Sequence, residues 1–251
     1  SRIKTPNSQN PNYHYLCQKQ KTMFGLPTHL QHTDDAELKQ ILQQTIMLQN
    51  GAVASQMAKP GARGMMNYGV SLVDLRHIAR HHGVNHSLAQ RLCPLQIREA
   101  KILASLLFDP NALNDNDLTL MANSITNIDM AENFAQNIVS KIADRDFFSQ
   151  LANGDKWHLL TAINAVGWAV AQHRQHSDIL SDWFTDNIES IVNQNIAETA
   201  RPIVSTMTAI ADISEPKKLT IENIAQKLIS SQSVFAQNIG NQFIRLHQDE
   251  F

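Results

Sequence analysis

From Asp34 onward, apolar side chains recur at steps of three and four residues and almost never alternate. That period constrains the fold most, because it gives each helix one apolar stripe that other helices must bury. Leu38, Ile41, Leu42, Ile46 and Met47 make the first stripe, with Asp34 and Asp35 where the positive end of a helix dipole favours acids. Lys59-Pro60-Gly61-Ala62-Arg63-Gly64 then interrupts the pattern. Ser71, with Asp74 three residues on, opens a helix carrying Leu72, Leu75, Ile78 and Ala79, and Gly83 ends it. Further helices are expected over residues 86–92, 97–108, 116–124, 129–142, 155–173, 178–192, 196–212, 221–229 and 233–247. Pro110 and Pro216 are expected in polar gaps, where proline interrupts nothing. No segment carries β-branched alternation bounded by turns. Consecutive helices with short gaps pack antiparallel, so an all-α stack of helix pairs, a solenoid or a curved bundle, is expected.

Residues 1–33 read as an N-terminal tail rich in Asn, Gln, Pro and His, with a short helix near 15–23, and residues 34–251 as one helical domain. No apolar run approaches the ~20 residues that span a bilayer, and no leader pattern suggests secretion. Cys17 and Cys93 have no metal or disulfide spacing, which makes a reducing cytoplasm the expected compartment. No cofactor motif is present, so no cofactor and no membrane partner are expected. Charge is uneven. Residues 51–101 hold seven basic and two acidic side chains, whereas residues 102–213 hold five basic and fourteen acidic ones. The front third can supply the positive field that backbone phosphates require, and the acidic middle opposes an extended basic track.

The order of three segments within residues 68–110 is distinctive. Tyr-Gly-Val-Ser-Leu-Val-Asp-Leu-Arg-His-Ile-Ala-Arg comes first, then His-Ser-Leu-Ala-Gln-Arg-Leu, then Ile-Arg-Glu-Ala-Lys-Ile-Leu-Ala-Ser-Leu-Leu-Phe-Asp-Pro. This stretch resembles the front of the HEAT-like-repeat DNA alkylation repair enzymes. The resemblance covers about 40 residues well and about 150 loosely. It implies a HEAT-like superhelix, a set of DNA glycosylases and non-catalytic relatives that cradle duplex DNA, and excision of cationic alkylated purines. The family's Trp-Asp-x-Cys-Asp signature corresponds here to Ile128-Asp129-Met130-Ala131-Glu132. Ile128 stands at the position of the lesion-bordering Trp, and Glu132 at that of the catalytic Asp. The extra methylene of Glu moves the carboxylate by roughly an ångström, which costs a large factor in rate. An expected arginine falls at Leu159 or Leu160, and a second lesion-bordering Trp at Ser205. The resemblance therefore implies weak or absent excision, since cationic bases need aromatic faces and the cationic transition state a fixed carboxylate.

Each candidate residue has a plainer reading beside the functional one. Asp129 and Glu132, at i and i+3, share a helix face as a catalytic pair would, or act as N-cap and first-turn acid. Arg76, Arg80, Arg91, Arg98 and Lys101 suit a phosphate track or a solvated helix face. Ser71 could hold a phosphate with the amides that follow it, or simply cap. Trp157, beside Lys156 and His158, is the tryptophan most open to a ligand, and Trp168 and Trp183 read as buried anchors. His77 and His81 have a zinc-compatible spacing, but the Glu of His-Glu-x-x-His is absent, so no metal is expected. The leading expectation is binding of damaged, duplex or branched DNA with little base excision. An active glycosylase using Glu132 is the first alternative, and a scaffold for a protein partner the second.

Overall fold

A computed structural model describes residue 30, residues 35–57 and residues 65–248. The expected tail and the break at 59–64 lie outside the described residues. Among the described residues thirteen α-helices have defined bounds: α1 Ala36–Met47, α2 Gly51–Met57, α3 Leu72–His82, α4 His86–Leu92, α5 Arg98–Leu107, α6 Asp115–Ser124, α7 Ile128–Asn137, α8 Arg145–Ala152, α9 Lys156–Ala171, α10 Ser177–Asn193, α11 Ala200–Ala211, α12 Glu215–Ile229 and α13 Val234–Gln248. Among the described residues there is no strand, only an isolated bridge between Met66 and Ile97. The fold is all-α, and no described helix is long and apolar enough to cross a membrane.

The chain divides into two compact units, residues 1–82 with 96–100, and residues 83–95 with 101–251. In the first, α1 packs on α3 through stripes that include Leu38, Ile41, Leu42, Leu75 and Ile78. Asp35 caps α1, accepting Leu38 N–H at 3.0 Å. The Tyr-Gly-Val turn is stapled to the segment leading into α5. Met66 N–H donates to Gln96 O, and Arg98 N–H donates to Met66 O, each at 2.8 Å. The buried Glu99 carboxylate accepts Tyr68 N–H at 3.1 Å and Val70 N–H at 3.3 Å. Gly69 sits at φ +69°, and a Cβ there would lie 2.3 Å from Asn50 O. That close approach and that dihedral explain why glycine occupies the middle of the turn.

In the second unit the odd-numbered helices form one layer. Thr161 Oγ1 donates to Ala131 O, 3.4 Å away, while His176 at the far end meets Ser140 O, so α7 and α9 run parallel. The same holds for α9 and α11: Lys156 meets Glu198 at their starts and Thr206 Oγ1 donates to Ile163 O midway. Gly167 permits that approach, since its Cβ would lie 2.9 Å from Thr206 Oγ1. Helix α13 continues the layer, packed on α11. Parallel neighbours require a return helix between them, and α8, α10 and α12 provide it as the second layer. Across that layer Arg145 pairs with Asp186, Lys217 with Asp182 and Lys227 with Glu189. Helix α9 is the hub: Leu159, Leu160, Ala162, Ile163, Ala165, Val166 and Ala169 are all nearly inaccessible to solvent. Each fully buried Leu or Ile there contributes roughly 1.5–3 kcal/mol. This packing is compatible with a helical-repeat stack.

The helices depart from the sequence expectation in several places. Helices α2 and α8 were not anticipated. The expected helix over 129–142 ends at Asn137, where Ile138 leaves helical geometry at φ −136°, and a 3-10 turn Val139–Lys141 follows. Pro216 is in the first turn of α12, not in a gap, where a missing N–H costs nothing.

Candidate functional site

The solvent-facing row of the odd layer is legible from burial. On α7, Ile128 and Glu132 are exposed and Gln136 half-buried, one turn apart. On α9 the corresponding row is Trp157, Asn164, Trp168 and Ala171, half-buried or exposed. On α11 it is Arg201 and Ser205. Neighbouring helix axes lie ~8–10 Å apart, so this row spans roughly 16–20 Å from α7 to α11.

The row brings together the positions on which the resemblance turns. Ile128 is 42% exposed and offers an aliphatic surface where an aromatic was expected. Asn127, not Asp129, caps α7 through Met130 N–H at 3.0 Å. Asp129 lies inside the first turn, where Asn133 Nδ2 donates to its Oδ1 at 3.1 Å. Glu132 is exposed and makes no hydrogen bond or ion pair with a described residue. Leu159 and Leu160, the candidates for the expected arginine, are 0% and 1% exposed, so a guanidinium there would have no access to solvent. Ser205 is exposed on α11.

Trp157 is half-buried, with the Lys156 ammonium 4.5 Å from its ring centroid. Lys156 also pairs with Glu198, holding that exposed carboxyl below its usual range. Asp155 caps α9. Burial raises its pKa, but hydrogen bonds from the His158 amide and ring and from the Trp157 amide outweigh it, and the net shift is downward. His158 bridges Asp155 and Ala122 O, fixing the start of α9 against the end of α6. Trp168 was expected to be a buried anchor, yet it is 38% exposed and on the same face as Trp157. Its i+4 relation to Asn164 was the sequence signal for that face. Trp183 is the anchor: 1% exposed, edge-on to Phe148 and donating to Ser149 Oγ.

The expected phosphate track does not hold together. Arg98 is 6% exposed and donates to Val70 O and Glu99. Lys101 is 2% exposed; its Nζ donates to Cys93 O at 3.0 Å and Ser124 Oγ at 3.2 Å, and burial lowers its pKa. Both cations are committed to the interior because α5 is covered on nearly every side, and a side chain already bonded there has no reach to a phosphate. Arg76 and Arg80 remain exposed one turn apart on α3. Ser71 Oγ is within 2.7 Å of Asp74 Oδ2 and accepts Asp74 N–H, so it acts as a cap.

The histidines disperse. His77 stacks edge-on against His81, His82 contacts Gln44, and His86 meets the buried Asp117 at 3.1 Å. No three His, Cys, Asp or Glu among the described residues are placed to share a metal.

No curated protein and no solved structure matches the chain. A family model described as DNA alkylation repair enzyme matches residues 41–190, more than half of its 251 residues, and takes in α3, the α7 signature positions and the α9 row. The chain therefore belongs to the DNA alkylation repair enzyme family, and its function is related to DNA repair.

Proposed function

We propose that this protein binds damaged or distorted DNA and excises bases weakly or not at all. The observation that carries the proposal is the α7–α9–α11 row. It keeps an exposed carboxylate at Glu132 and indoles at Trp157 and Trp168, but has Ile128 where the resemblance expects an aromatic, and Leu159 and Leu160, where it expects an arginine, are buried beneath the surface. Flat aromatic surface supports contact with bases at ~1–3 kcal/mol each, independent of sequence. Excision of a cationic base needs more, a fixed carboxylate and an aromatic face at the reacting sugar. On α3, Arg76 and Arg80 are suitable for successive backbone phosphates.

The test is fluorescence anisotropy with intact duplex, abasic and branched DNA at ~50 mM salt, where phosphate contacts are strongest. Binding that weakens steeply with salt is expected, tighter for abasic or branched DNA than for intact duplex. No binding to any of the three overturns the proposal and leaves the protein-scaffold reading in its place.

One observation favours an active enzyme as second reading: Glu132 is exposed and unpaired with any described residue. Release of 7-methylguanine and 3-methyladenine from methylated DNA separates the two. Equal release by wild type and Glu132→Gln is expected, and release that falls tenfold or more in the variant would establish Glu132 as the carboxylate.

A further inference from the structure

The loop between α9 and α10 gathers cations that no described carboxylate pairs with. Lys141 ends the 3-10 turn after α7, and Arg174 lies between α9 and α10. The His176 ring donates through Nε2 to Ser140 O at 3.0 Å, which holds this loop against the residue preceding Lys141. Arg174 Nη2 donates to the neutral Gln172 Oε1, while its Nε is buried without a hydrogen-bond partner. The Lys141 side chain is half-buried and makes no hydrogen bond or ion pair with a described residue. Burial, and then the neighbouring Arg174 guanidinium, lower the pKa of its ammonium.

A third source of positive potential, the N-terminus of α10, begins three residues after Arg174. The 17-residue helix α10 starts at Ser177, and its N-cap residue His176 provides no side-chain cap. Ser177 N–H donates to Arg174 O, the Asp178 and Ile179 amides have no side-chain acceptor, and the dipole of a long helix adds to the field. Asp178, the acid of that turn, is exposed and pairs with neither cation. The C-terminal dipoles of α7 and α9 explain why a cation sits at each end. They do not explain an orphaned Arg174 Nε, nor two half-buried cations brought together.

We propose that Lys141, Arg174 and the N-terminus of α10 bind a phosphate-type oxyanion. Two cations and a row of amides suit a doubly charged, multiply accepting group, and the planar guanidinium can grip it with two donors. Binding would draw Arg174 off Gln172 so that its Nε and Nη2 edge faces the anion. The site is distinct from the row on α7, α9 and α11 and does not depend on that row binding DNA.

The experiment is amide and guanidinium NMR of the full chain during titration with inorganic phosphate at constant ionic strength, repeated with a duplex oligonucleotide. Saturable shifts of Arg174 Nε–H and of the Asp178 and Ile179 amides are expected. Lys141→Gln and Arg174→Gln should each weaken phosphate on the order of tenfold, with Arg201→Gln unchanged. If the same signals move with duplex and the variants weaken it too, the occupant is a backbone phosphodiester; if only inorganic phosphate acts, it is a small phosphorylated ligand. No saturable shift with either, or shifts undiminished in Lys141→Gln, overturns the proposal. Since the Lys141 side chain makes no described bond, that variant decides the matter even where Arg174→Gln fails to fold.

Discussion

Replacing Glu99 by Gln tests whether the family's paired motifs are bound to each other by one buried carboxylate. Glu99 is fully buried, and its oxygens receive Tyr68 N–H, Val70 N–H and Arg98 Nη1 at 3.1–3.3 Å. Glutamine preserves the volume but presents one acceptor and an NH2 group. With its oxygen facing Val70 and Arg98, the new amide donor confronts Tyr68 N–H, and one buried donor loses its acceptor at ~1–3 kcal/mol. Arg98 also loses the Glu99 charge while remaining buried, and removing one partner of such a pair costs ~3–5 kcal/mol. The two terms share the same groups and do not add, so the expected loss is about 3–5 kcal/mol. Urea unfolding followed by circular dichroism measures it, and hydrogen exchange at Tyr68 and Val70 localises it. Arg98→Met/Glu99→Gln should recover part of the loss, because the buried guanidinium is removed together with the carboxylate it faced. A loss under ~1 kcal/mol with Tyr68 and Val70 still protected would refute the reasoning.

Three more predictions concern other parts of the molecule. Burial, and secondarily Glu99, push the Tyr68 phenol up to about 12, so the folded state keeps a proton that the unfolded chain releases. Its contribution is whole below pH 10 and is lost as pH rises toward 12, about 3 kcal/mol in all. Tyr68→Phe should flatten that alkaline decline in urea titrations and be neutral or stabilising at pH 7, since the buried hydroxyl has no hydrogen-bond partner. Arg80→Ala should reduce the slope of log affinity against log salt for duplex DNA by about 1 without altering unfolding, as loss of one phosphate contact requires. Trp168→Ala should weaken abasic-DNA binding by ~1–3 kcal/mol in anisotropy titrations, while the buried Trp183→Ala should instead lower stability by ~3–5 kcal/mol.

Periodicity made the long helices readable, and the misses have physical causes. Helix α2 buries none of its residues and opens on Gly51, so it has no stripe to detect. Helix α8 carries Phe147, Phe148 and Leu151 behind an Asp144 cap, but spans only eight residues, fewer than a periodic window needs. Of the site, Glu132 and Ile128 were found through the signature, whereas Trp168 was assigned to the core because its apolar neighbours suggested burial. Arg98 and Lys101 were misread for the opposite reason. A row of cations usually marks a solvated face, whereas here the carbonyls of Val70 and Cys93, the Ser124 hydroxyl and the Glu99 carboxylate help make their burial tolerable.

The acidic middle of the chain opposed DNA binding on sequence grounds, yet charge summed along a sequence is not charge on a face. Asp144 and Asp155 spend their carboxylates on helix N-termini. Asp117 is buried, capping α6 with Asn114 and receiving His86 and Gln90. Asp182, Asp186 and Glu189 meet lysines and an arginine across the α8–α10–α12 layer, and Glu198 meets Lys156. On the odd-layer row itself the carboxylate is Glu132, facing solvent in the same row as Arg201. Repulsion between this row and a phosphate backbone is then set by one or two charges rather than by a deficit of nine, and salt screens it beyond ~8–10 Å. Glu132→Gln should therefore tighten DNA binding modestly at low salt and leave it unchanged at high salt. A variant that binds no better at ~50 mM salt would place the duplex away from Glu132 and return the family's signature helix to a purely structural role.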